Sequence, residues 1–114
     1  MAGVVTAVLW RHRPIGRVEV RGDSMRPALE PGDRLLVLRD RPVRVGEIVA
    51  VGDPRAPART MLKRVAARGP AGLTVLGDNA AASTDSRAFG PVSPGTVRGR
   101  AVYRYFPDSR RGLL

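Results

Sequence analysis

The chain has 114 residues, enough for one small domain with a modest core and too few for a second. It has no cysteine, which excludes disulfides, thiolate metal sites and a Cys nucleophile, and its one histidine, His12, lies in an arginine-flanked stretch that argues against a Ser-His-Asp triad. A formal charge of +10 points to acidic partners, yet the arginines are dispersed, the aromatic residues are few and no nucleic-acid motif is present, so specific nucleic-acid binding is not expected.

Residues 1–10 are apolar but about half as long as a bilayer-crossing helix, and they lack the basic leader of a secretory signal. The segment 1–15 therefore reads as a surface-associated extension with at most peripheral membrane contact, which places the protein in the cytoplasm. Ten prolines and thirteen glycines punctuate the rest and leave no room for a long helix. Short runs rich in Val or Leu between turn residues predict strands over 16–21, 34–38, 47–52, 60–66, 73–76 and 97–105. The expected class is mainly β, a small barrel or sandwich with at most short helical turns. Glu30-Pro31-Gly32-Asp33 is a turn signal, because Pro presets φ at its second position and Gly supplies a positive φ at its third. It leaves 24–29 as a connector between two strands, with room for one helical turn. Residues 16–106 form the domain, and the tail 107–114 is expected to fray.

Lys63 is the only lysine beside 19 arginines. Arg stays protonated in proteins, whereas a buried Lys can lose its proton near neutral pH and act as a base. In the predicted strand 60–66, Met61, Lys63 and Val65 share one face and Leu62, Arg64 and Ala66 the other. Either face could be the core side on pattern alone. Ser24 lies in Gly22-Asp23-Ser24-Met25-Arg26-Pro27, a connector that could expose a hydroxyl beside a backbone N–H. A serine nucleophile needs a base within reach, and the single lysine is the natural candidate, at an expected separation of roughly 3.5 Å. A polar loop, 77–87, follows the predicted strand 73–76. Turn chemistry accounts for Asp78 and Asn79 but not for the hydroxyls and the Asp-Arg pair of Ser83-Thr84-Asp85-Ser86-Arg87.

Four segments, 22–33 (GDSMRPALEPGD), 46–51 (GEIVAV), 62–65 (LKRV) and 77–90 (GDNAAASTDSRAFG), resemble in order the successive boxes of the signal peptidase I family of Ser-Lys proteases. The resemblance implies a signal-peptidase-like fold and a Ser-Lys peptidase domain over 16–106. It implies that Ser24 is the nucleophile, Lys63 the general base and Ser83 the hydroxyl that orients it. The Ser24 backbone N–H would contribute to the oxyanion hole, with Gly22 and Met25 supporting it from the same box. Asp85 and Arg87 would brace the last loop, and Asp78 would have a similar structural role. Gly22 stands where many bacterial members carry a serine that adds an oxyanion donor.

Metal-ligand clusters are absent and no cofactor is expected, and the expected partner is a protein substrate with a flexible N-terminal extension. The short length and the segment 99–107 near the end, Gly-Arg-Ala-Val-Tyr-Arg-Tyr-Phe-Pro, look most like the small branch that matures nickel superoxide dismutase, which implies that enzyme's precursor as the client. The alternatives are a signal peptidase paralogue that cuts secretory signal peptides and, outside the proteases, a basic β-module that binds an acidic partner. A self-cleaving repressor fits poorly, because only 23 residues precede Ser24.

Overall fold

A computed structural model of the chain describes residues 4–5, 14–39 and 41–114. Most of the segment 1–15, with His12, lies outside the described residues. The strands are β1 Val4–Val5, β2 Ile15–Glu19, β3 Arg34–Leu38, β4 Ile48–Asp53, β5 Ala56–Gly69, β6 Gly72–Leu76, β7 Val97–Phe106 and β8 Gly112–Leu113. All pair antiparallel in one sheet of order β1-β5-β4-β7-β3-β2, with β6 added to β5 and β8 to β7. Among the described residues, helix is confined to the single turn α1, Ser86–Phe89, and three short 3-10 turns, so the mainly β class holds.

β4 and β5 are the heart of the sheet because they are apolar on both faces. Ile48 and Ala50 of β4, with Leu62 of β5, face one core, which is completed by Val18, Val20, Met25, Leu29, Leu35, Val37 and Ala101. Val49, Val51, Met61 and Val65 face a second, with Leu73, Val75 and Val92. The question of whether Leu62 or Lys63 points inward thus has a double answer, since every residue of 60–63 is buried. β5 is twice as long as its apolar pattern indicates. Its ends are carried outward by the hairpins to β4 and β6, where Pro, Arg and Gly are solvated and so leave no hydrophobic trace in the sequence.

The connector after β2 is shaped by one helical turn and by the burial of its apolar side chains. Leu29 N donates to Met25 O at 2.9 Å, closing one helical turn, and the Met25 and Leu29 side chains enter the first core. Burial of two such side chains contributes about 1.5–3 kcal/mol each, which anchors the chain on either side of the turn. The Glu30–Asp33 turn closes as expected, with Asp33 N donating to Glu30 O at 3.0 Å. The tail 107–114 departs from expectation, because it is docked. β8 pairs with β7, Leu114 N donates to Val102 O, and Arg110 Nη1 reaches Asp33 Oδ1 at 2.7 Å. Those bonds run to residues outside the tail, some of them distant in sequence, and a terminal stretch rich in Gly, Ser and Arg carries no local sign of them.

Candidate active site

Lys63 comes from the middle of β5, Ser24 from the connector, and Ser83, Asp85 and Arg87 from the segment that runs from β6 into α1. The β5–β6 register sets Arg64 against Leu76, so the next step sets Gly77, where the loop begins, beside Lys63. Lys63 is 1% exposed. Its Nζ donates to Ser83 Oγ at 3.0 Å, and Ser83 Oγ donates to Asp85 Oδ2 at 2.6 Å. That order is forced: the ionised carboxylate can only accept, so the hydroxyl proton points to Asp85 and a lone pair faces the lysine.

Asp85 is held from all sides. Oδ2 also accepts from Gly77 N at 2.8 Å and Arg87 Nη2 at 2.6 Å, and Oδ1 accepts from Arg87 N and Nε. Burial alone would raise its pKa, but the Arg87 guanidinium, the Ser83 hydroxyl and the two backbone donors outweigh burial and hold it well below the usual carboxylate range. Lys63 moves in the direction a base requires. Burial is the main cause, Asp85 pulls against it, Arg55 and Arg87 add to it, and the amine is lowered from 10.5 to about 8.

Ser24 is 1% exposed, and its Oγ has no hydrogen-bond partner among the described residues. The direct Ser24–Lys63 hydrogen bond expected from the sequence is therefore not formed here. Catalytic hydrogen bonds commonly tighten only when substrate fills the site, and the Ser24 hydroxyl has no competing partner among the described residues. The Ser24 backbone is tied to the Lys63 side through Asn79, whose N–H donates to Ser24 O at 2.9 Å and whose Nδ2 donates to Asp23 O at 3.1 Å. Gly77 lies between the two halves. A Cβ there would meet Ser83 Oγ at 2.2 Å and Ser24 O at 2.7 Å.

The remaining site residues brace this arrangement. Gly22, at a φ of 74°, turns the chain toward Ser24, and Met25 serves as a core anchor beside it. Asp78 receives Arg64 Nε and Nη2 at 2.8 and 2.7 Å, while Arg64 Nη1 donates to Gly46 O, so the face of β5 opposite Lys63 is pinned to the start of the loop.

The family described as signal peptidase, peptidase S26, matches residues 1–73 and 70–106. The chain belongs to the peptidase S26 family. It is similar to mitochondrial inner membrane protease subunit 2 of Danio rerio, with 37% identity over 94% of this chain and 72% of that protein. Mitochondrial ATP-independent inner membrane protease subunit 1a of Arabidopsis thaliana is 34% identical over 88% of this chain and 76% of its own. Human mitochondrial inner membrane protease subunit 1 is 30% identical over 87% and 74%. This S26 domain is accordingly a peptidase of signal-peptidase type, with protein as its substrate.

Two residues that shape the candidate site, Gly77 and Asn79, are not marked as site residues by the sequence. Their position directly after a predicted strand signals a tight turn, but the need for an absent Cβ and for a bond to Ser24 O arises only when the two loops meet. Among the described residues of the S26 domain, no helix is long and apolar enough to cross a membrane.

Proposed function

We propose that the chain is a serine endopeptidase in which Ser24 attacks and Lys63 is the general base, cutting an N-terminal extension from a precursor protein. The observation that carries this reading is the buried Lys63 amine, lowered to about 8 and bonded to Ser83, itself fixed by Asp85, in a site where Ser83 and the Ser24 backbone meet at Gly77 and the buried Ser24 hydroxyl has no hydrogen-bond partner among the described residues. A neutral amine has two N–H bonds and one lone pair. With one N–H given to Ser83, the lone pair is free to take the Ser24 proton as Oγ adds to the scissile carbonyl. The Ser24 backbone N–H is the donor expected to meet the oxyanion. The protonated Lys63 then delivers its proton to the leaving amine, and the acyl-enzyme on Ser24 is hydrolysed by water that Lys63 activates in turn.

The pH dependence follows from the sign of the shift. Only neutral Lys63 accepts a proton, so kcat is expected to rise with pH and level off above about 8, falling about tenfold for each unit below that value. A profile that is flat from pH 6 to 9 in single-turnover assays would remove Lys63 from the proton transfer.

The names of the relatives favour a precursor presented at a membrane, as a signal peptidase paralogue would meet it. The nickel superoxide dismutase precursor, which rests on the small-branch resemblance alone, is the second client. Purified protein and its Ser24→Ala variant should be incubated with a vesicle-inserted precursor carrying an Ala-x-Ala signal site and, separately, with the dismutase precursor, and the products sequenced from their N-termini. Cleavage of the first by wild type only supports the membrane reading. Cleavage of the second alone transfers the assignment to propeptide removal. Equal activity of Ser24→Ala would defeat the serine mechanism for both.

A further inference from the structure

Asp33, at the end of the turn that follows the connector, has a buried carboxylate that gathers two arginines from the far end of the chain. Oδ2 accepts from Glu30 N at 2.9 Å and from Arg104 Nη1 at 3.2 Å, and Oδ1 accepts from Arg110 Nη1 at 2.7 Å. Arg104 does more than pair with Asp33. Its Nη1 also donates to Ala28 O at 2.9 Å and its Nε to Arg110 O at 2.5 Å. One guanidinium on β7 thus bonds the backbone of the Ser24 connector, the carboxylate that closes the connector's turn and the backbone of the docked tail.

The connector needs such a tie. Core burial holds Met25 and Leu29 from below and Asn79 holds Ser24 O from the Lys63 side, and Arg104 adds a charged donor to the Ala28 carbonyl between those anchors and the turn. The Arg104 and Asp33 side chains are 16% and 2% exposed, so their charges are little screened and the geometry they impose is stiff. We infer that Asp33, Arg104 and the tail around Arg110 form a clamp that positions Ser24 for attack, with Arg104 as its central positioning residue. The inference rests on the protease reading.

The test compares Arg104→Met and Arg104→Lys with Arg100→Met, a variant on the same strand that breaks the Arg100–Glu47 pair without touching the connector. Each variant is assayed on a quenched-fluorescent peptide with an Ala-x-Ala site. Amide hydrogen exchange at Leu29, whose N–H bonds Met25 O, is followed in the same samples. Arg104→Met is expected to lower kcat about tenfold or more with KM within about threefold, and to speed Leu29 exchange by a similar factor. Arg104→Lys should recover part of both, and Arg100→Met should change neither. Should Arg104→Met fail to fold, Arg110→Met, which removes the second arginine from Asp33 while leaving Arg104 on Ala28 and Asp33, should show the same changes in reduced form.

Unchanged kcat and exchange in a folded Arg104→Met, or in Arg110→Met where that variant stands in, overturns the clamp, as do equal losses in Arg104→Met and Arg100→Met. Failure of the wild type to cut the peptide would count against the protease reading instead, and the exchange comparison would still decide whether Arg104 holds the connector.

Discussion

Lys63→Arg and Lys63→Met are both expected to lose roughly 10³-fold or more in kcat, because neither side chain can accept the Ser24 proton. Arg is the sharper test, since it keeps the cation and removes only the ability to become neutral at working pH. Their stabilities should diverge. Folding transfers the Lys63 amine from an ordinary pKa of 10.5 to about 8, so at pH 7 the native state carries a cost on the order of 3 kcal/mol for keeping that cation buried.

That cost is complete below about 8, where the amine is protonated both folded and unfolded. It fades as pH rises toward 10.5, because the unfolded chain then binds the extra proton. Wild-type stability should therefore rise with pH across this window. Lys63→Met should lack the rise and be at least as stable as wild type at pH 7, with Ser83 still satisfied by Asp85. Urea unfolding at several pH values, read beside kcat, checks both halves. A Lys63→Arg enzyme with more than a tenth of wild-type activity would end the general-base assignment.

Gly77→Ala is the second large effect, and it comes from space. The added methyl carbon would lie 2.2 Å from Ser83 Oγ, 2.6 Å from Ser83 Cβ and 2.7 Å from Ser24 O, so it overlaps the side chain bonded to Lys63 and the backbone of Ser24. Relieving the overlap must move Ser83 off Lys63, or Ser24 off Asn79, or both. Overpacking of this kind costs about 1–3 kcal/mol, and a displacement of about 1 Å at reacting groups costs about 10²-fold in rate. Gly77→Ala should thus stay folded with a lowered Tm and lose about 10²-fold in kcat. Gly69→Ala, where a methyl group meets nothing within 4 Å, should change neither appreciably. Full activity in Gly77→Ala would mean that the packing of Ser83 against Ser24 is not what sets the site.

The arginine-rich composition takes on a different meaning once the partners are visible. Arg64, Arg87, Arg100, Arg104 and Arg110 each bond a carboxylate, and several add a backbone carbonyl. Arg serves these places because its planar fork reaches two acceptors at once. Lysine is left for the one position where burial lowers the cation's pKa to about 8. Charge that reads in the sequence as attraction to an acidic partner is thus in part neutralised inside the domain.

What the sequence by itself determined is local chemistry: short apolar runs between Pro and Gly made the class β, Glu30-Pro31-Gly32-Asp33 made a turn, and one lysine among arginines with Ser24 and the 83–87 loop marked the residues of the candidate site. Each of those signals lies within a few neighbouring positions. Only the tertiary structure decided that both faces of β5 are buried, which is what desolvates Lys63, because burial depends on the strands that pair on either side of it and on the cores they close. It alone decided that Gly77 must lack a side chain, that Asn79 holds Ser24, and that the tail docks on Asp33 instead of fraying. Contacts between distant segments leave no period and no motif in the chain, and they exist only where the sheet brings those segments together.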